Sequence, residues 1–155
     1  MIDNIPDRIA ALHRQATQYK DIKDWDNAVA CLREAATLAP QSGVCYSAAH
    51  YARLPVILQQ AGKFDESIQI FERLLAGVEA LMAKHFGHQP KSTQKMLSHA
   101  TYATIYDKMR LACQRQKLPE KVSEYAALSE MHKEHHRRML EAENKRLEAK
   151  HKRKR

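Results

Sequence analysis

The apolar residues of this chain recur at intervals of three and four positions, which is the spacing of one face of an α-helix. The first such segment runs from about Pro6 to Lys20, and a proline suits the first turn of a helix. The same periodicity predicts five further helices, at about 25–38, 43–61, 64–84, 94–116 and from Pro119 towards the end of the chain. The pattern therefore predicts an all-α protein.

Local signals mark several of the expected helix ends. Asp24, Ser42 and either Ser92 or Thr93 precede three of the helices, and side chains of this kind accept a hydrogen bond from the free N–H groups of a first turn. Gly62 follows the third helix, at a position where a left-handed backbone conformation is favoured. These residues set the expected limits of the elements.

Two stretches of the chain, 9–40 and 48–79, can be aligned with each other. Each has small residues where two helices would cross, an aromatic residue at the start of its second helix, and bulky apolar residues one or two turns later. The first stretch carries Leu12, Ala16, Tyr19, Trp25, Ala28, Leu32, Ala35 and Pro40, and the second carries Tyr51, Pro55, Leu58, Gly62, Phe64, Ser67, Phe71 and Leu74. This pattern resembles the tetratricopeptide repeat, a helix–turn–helix unit of about 34 residues.

The second stretch departs from the family pattern in two places. Pro55 stands where a small residue is usual, and Glu79 stands where a proline usually closes the repeat. An interior proline removes a backbone hydrogen bond, so we expect the third helix to kink or loosen there. A third, fainter block with Tyr106, Cys113, Lys117 and Val122 follows a loop at 85–93. The alternative is a generic antiparallel helix bundle with two similar hairpins.

The resemblance implies antiparallel hairpins stacked as a short right-handed solenoid over residues 1–131, with a degenerate third pair at about 94–131. It also implies a non-catalytic adaptor that holds a protein or peptide in a groove lined by the first helix of each pair. The matching positions are His13, Thr17, Lys20, Ala52, Arg53, Val56, Gln59 and Gln60. His13 and Thr17 replace the lysine and asparagine with which the chaperone-binding branch clamps a carboxylate, which argues against that clamp.

The charge of the chain is concentrated at one end. The whole chain has a formal net charge of +8, whereas residues 132–155 hold ten Lys and Arg against four Glu, a net of +6. Pairs at i,i+4, such as Glu134 with Arg138, favour an exposed helix. This basic C-terminal extension either only solvates the protein or binds nucleic acid through counterion release. The nucleic-acid residues would be Lys145, Arg146, Lys150, Lys152, Arg153, Lys154 and Arg155.

Other chemistry has little support in the sequence. His132 and His136 share a helix face, and His85 and His88 share a loop, but neither pair has further ligands at the spacing of a tetrahedral metal site. The phosphate-binding and nucleophile-elbow motifs are absent. We therefore expect no metal, no cofactor and no enzymatic activity. Self-association through the sixth helix remains an additional possibility.

The sequence also bears on the compartment. It shows no apolar stretch of the roughly 20 residues that a membrane span needs, and its start does not read as a signal peptide. The cysteines number three and form no CxxC pair, which favours reduced thiols over a disulfide framework. These observations predict a cytoplasmic protein without membrane contact.

Overall fold

The computed structural model describes residues 4–155 and is built almost entirely of helix. Its elements are α1 (Ile5–Asp21), α2 (Trp25–Leu38), α3 (Ala48–Gln60), α4 (Phe64–Phe86), α5 (Lys91–Arg115) and α6 (Pro119–Arg153), with a 3-10 turn at Ala39–Gln41. No β-strand occurs among residues 4–155. The prediction of an all-α protein is therefore confirmed.

Two of the expected helix-end signals are confirmed, one by a hydrogen bond and one by its backbone conformation, and a third is wrong. The Asp24 carboxylate accepts from the Asn27 N–H at 3.3 Å, and Gly62 is left-handed, with φ of 81°. The Ser42 hydroxyl instead donates to the Ala39 carbonyl at 2.7 Å. The third helix begins later than predicted because Ser47 caps it, by accepting from the His50 N–H.

The expected limits of α5 and the expected break in α3 also need correction. Helix α5 begins at Lys91, so Ser92 and Thr93 lie within its first turn and do not cap it. Helix α3 runs through Pro55 without interruption. The buried Ser67 hydroxyl on α4 donates to the Pro55 carbonyl at 2.6 Å, so the proline lies at a close crossing of the two helices.

One turn geometry joins the two helices of each hairpin. A left-handed residue follows α1, α3 and α5, namely Lys23, Gly62 and Lys117, with φ of 59°, 81° and 60°. The next N–H then donates to the carbonyl five residues earlier, in the pairs Asp24 to Tyr19, Lys63 to Leu58 and Leu118 to Cys113. This is the bonding pattern of a Schellman helix end. The three turns occupy the positions that the sequence alignment equates.

Each hairpin packs against the one that follows it in the chain. Helices α1 and α2, α3 and α4, and α5 and α6 form the pairs, α2 packs on α3, and α5 packs on both α3 and α4. The aligned small residues Ala16, Ala28 and Ser67 are completely buried. Ala16 and Ala28 lie in an apolar cluster with Leu54, Ile57 and Leu58 of α3. The core is therefore shared between successive hairpins.

The turn geometry predicts opposite effects for two glycine-to-alanine substitutions. Gly62→Ala places a Cβ on a left-handed residue and should lower the free energy of unfolding by about 1–2 kcal/mol. Gly77→Ala lies inside α4, where an added Cβ meets no atom within 4 Å, and should raise it by about 0.8–1 kcal/mol. Urea denaturation of both variants measures the two changes in the free energy of unfolding. Changes of the same sign would contradict the left-handed turn assigned to Gly62.

Candidate protein-binding surface

A polar bridge joins α1 to α3 at three of the positions that the resemblance assigns to a groove. The Arg53 Nη1 atom donates to the His13 carbonyl at 3.2 Å and lies 3.0 Å from His13 Nδ1. Its Nη2 atom donates to the Thr17 hydroxyl at 2.9 Å. Because a guanidinium group only donates, Nδ1 of His13 accepts, and the ring proton lies on Nε2. The bridge therefore requires a neutral His13.

Three stacked rings extend this bridge. The ring centroids of His13 and His50 are 3.7 Å apart, and those of His50 and Tyr46 are 4.3 Å apart. Burial, then the charges of His50 and Arg53, lower the pKa of His13 to about 4. Burial and Arg53 also lower the pKa of His50. The stack links α1 to the segment that enters α3, and it is stable only while its imidazoles are uncharged.

The positive charge of Arg53 is not compensated by an acidic side chain of the described residues. No carboxylate of residues 4–155 lies within ion-pair distance of it. Its three hydrogen bonds engage three of five N–H groups, which leaves two for another acceptor. Arg53 is half-buried, and this burial lowers its pKa. A partly desolvated cation of this kind interacts more strongly with an anion than a fully hydrated one does.

The other expected groove positions are placed less uniformly. Lys20, Val56 and Gln60 are half-buried, whereas Ala52 and Gln59 are buried. The Gln59 amide nitrogen donates to the Gln116 side chain at 3.3 Å, beyond the end of α5. Ala52 and Val56 pack into the apolar cluster that α3 shares with α4 and α5. Much of the α3 face is therefore used inside the molecule.

An apolar cavity of about 250 Å³ opens next to the bridge. Small residues of α2 form one wall, and α3 and α4 form the others. The His13 and His50 rings contribute to its lining, and the exposed Arg73 lies at its edge. The remaining lining residues are Leu32, Ala35, Ala36, Ala39, Tyr51, Leu54, Ile70 and Leu74. The cavity and the Arg53 cation are therefore neighbours, linked through His13.

A second histidine cluster lies between α5 and α6, and sequence reasoning did not find it. His99 Nδ1 is 2.9 Å from His132 Nδ1, and the His132 ring stacks on Tyr102 and Tyr106. The His135 ring stacks on His99 at 4.9 Å. Burial, followed by neighbouring positive groups, lowers the pKa of both His99 and His132. Only the register of the α5–α6 pair, which the sequence alone does not fix, brings these residues together.

Three further features concern metal ligands, membrane spans and cysteines. Within the part of the chain that the structure describes, no group of three His, Cys, Asp or Glu side chains is arranged to hold a metal ion. No described helix is both long enough and apolar enough to cross a membrane. Cys31, Cys45 and Cys113 are all free thiols.

Neither models of protein families, nor curated proteins, nor solved structures give a match. The resemblance to tetratricopeptide repeats therefore stays a prediction, based on the aligned positions and the turns between helices.

The lowered histidine pKa values predict that acid destabilises the protein. The unfolded chain binds protons below about pH 6.5, whereas folded His13 resists protonation until about pH 4. Stability is therefore complete above pH 6.5 and declines as the pH falls towards 4. His13→Gln should remove part of this decline, on the order of 1 kcal/mol between pH 7 and 5.

The measurement is the urea midpoint at pH 7 and pH 5 for the two proteins. His151→Gln, an exposed position near the end of α6, is the matched control and should retain the full decline. A decline that is identical in all three proteins would show that His13 does not contribute to it.

Proposed function

We propose that this protein is a non-catalytic scaffold whose three hairpins stack as a short solenoid of the tetratricopeptide type. The observation that carries the proposal is the recurrence of one turn, with the same left-handed residue and the same hydrogen bond, at Lys23, Gly62 and Lys117. A helix pair cannot cover its own apolar face, so equivalent pairs bury it by stacking on their neighbours. The shared apolar clusters of successive hairpins support this arrangement.

The proposed partner is a protein segment that combines an apolar side chain with an acidic group. The apolar cavity between α2 and α4 would receive the side chain, because its lining is mainly aliphatic. Arg53 would bind the acid through the two N–H groups that the bridge to α1 leaves open. Lys20 and Arg14, on the same helix as His13, add positive charge nearby. We place this function in the cytosol, where free thiols persist.

Two substitutions test this surface without removing core residues. Arg53→Met keeps the apolar stem of the side chain and loses the charge, and Ala36→Phe fills the cavity from an exposed position on α2. Arg53→Met should reduce the recovery of the cognate partner about tenfold or more, since a hydrogen bond to a charged group is worth about 1.5–3 kcal/mol. Ala36→Phe should also reduce it, because the ring occupies the space of the partner's apolar side chain. The measurement is quantitative affinity purification with the full-length chain.

The matched control is Ala30→Phe, an exposed position on the same helix that does not line the cavity. It should leave the recovery of the partner unchanged, and circular dichroism should show the same helix content in all three variants. Co-purified proteins that are unaffected by both Arg53→Met and Ala36→Phe would overturn the proposed surface.

A further inference from the structure

Helix α6 extends well beyond the helix on which it packs. The register of the pair is fixed by the Ser129 hydroxyl, which donates to the Ala103 carbonyl at 2.8 Å, and by the contact of His132 with His99. Met139 and Glu143 then lie beside Ser92 and Thr93, in the first turn of α5. Because α5 begins at Lys91, the helical residues 144–153 continue past its end. We refer to residues 144–155 as the overhang.

The net charge of the extension belongs entirely to the overhang. Residues 132–143 hold three Lys and Arg against three Glu, a net charge of zero, whereas residues 144–155 hold seven against one, a net of +6. Within the balanced part, the Glu134 carboxylate binds Arg137 and Arg138, and Glu141 binds Arg137. Two of the three acidic groups there are therefore engaged by arginines of the same segment.

The cations of the overhang are largely unpaired. Arg146 binds Glu143 at 2.7 Å, but six others form no ion pair with any residue of 4–155: Lys145, Lys150, Lys152, Arg153, Lys154 and Arg155. Glu141 with Lys145 and Glu148 with Lys152 have the i,i+4 spacing but form no ion pair. The exposed Lys91 and Lys95 of α5 add positive charge at the same end of the molecule.

The arrangement of residues on the overhang indicates which kind of polyanion it could bind. Successive residues of a helix point about 100° apart, so the cations at 145, 146, 150, 152 and 153 share one broad face about 160° wide. Lys154 and Arg155 follow the end of the helix. Leu147 is the only large aliphatic residue of this segment, which is too few for an amphipathic helix at a membrane surface. The segment has no Phe, Tyr or Trp on which unpaired bases could stack.

From these observations we infer that the overhang binds double-stranded DNA by entering the major groove and contacting phosphates on both sides. A helix is about 10–12 Å across with its side chains, and the major groove of B-form DNA is about 12 Å wide. The deep, narrow major groove of duplex RNA does not admit a helix in this way. With the broad cationic face turned into the groove, Lys152 at one edge and Lys150 at the other reach the two walls. Contacts to phosphates read no particular sequence. This inference does not rest on the proposed scaffold function.

The salt dependence of DNA binding tests the inference. Binding of the full-length protein to a fluorescent DNA duplex is measured by anisotropy between 50 and 200 mM salt. Six phosphate contacts predict a slope of about −5 in a plot of log K against log salt. Substituting Lys150, Lys152, Arg153 and Lys154 with Gln, which retains helix propensity, should reduce the steepness by about 3–4 and weaken binding at 50 mM salt more than tenfold.

A control with the same change in net charge separates position from charge. It carries Gln in place of Arg14, Lys20, Lys63 and Lys108, all outside α6, and should keep most of the slope. The inference would be overturned by equal losses of slope in the two variants, or by no binding to DNA at 50 mM salt. It would also be overturned by tighter binding to single strands or to duplex RNA, or by stronger binding to phosphatidylserine vesicles. The overhang variant should still recover the scaffold's partner, so the two proposals fail separately.

Discussion

The path of the chain depends on three reversals, each of which requires a residue in the left-handed conformation followed by a hydrogen bond that spans five residues. Only Gly62 adopts this conformation without a steric cost, whereas Lys23 and Lys117 pay roughly 1–2 kcal/mol each for their Cβ atoms. The hydrogen bond that closes the helix end and the packing of the next helix along the first offset this cost. Once the direction of each hairpin is set, the small residues at 16, 28 and 67 meet the facing helix, and the apolar clusters can form between successive hairpins.

The close crossing of α3 and α4 contains a proline, a residue that is unfavourable inside a helix. Pro55 occupies the position of Ala16 in the aligned hairpin, and Ser67 occupies that of Ala28. Proline provides no N–H to the helix, yet α3 continues through it without interruption. The Ser67 hydroxyl, fully buried, donates to the Pro55 carbonyl. A polar contact thus stands where the first hairpin has two methyl groups.

Local sequence was sufficient for what depends on local physics. Helix periodicity, the Asp24 cap and the Gly62 turn each involve residues within a few positions of one another, and all three were predicted. The start of α3 was not, because Ser42 and Ser47 are equally good caps in isolation and only the 3-10 turn at Ala39–Gln41 engages the first of them. The His99–His132 contact and the bridge from Arg53 to His13 join residues 33 and 40 positions apart. Their existence depends on helix register, which apolar spacing fixes only to within a turn.

Some charged side chains of this protein are paired between helices, whereas Arg53 is not. Two ion pairs, Arg8 with Glu34 and Arg33 with Glu66, connect helices, and in each the two charges compensate each other within the fold. Arg53 is different, because neutral acceptors on α1 satisfy part of its guanidinium and leave its charge uncompensated. A neutral acceptor can do this only if His13 resists protonation, and burial, followed by the neighbouring His50 and Arg53, lowers the pKa of His13. The same ring therefore supports the hairpin contact and preserves the cation beside the apolar cavity, so a substitution at His13 affects stability and surface charge together.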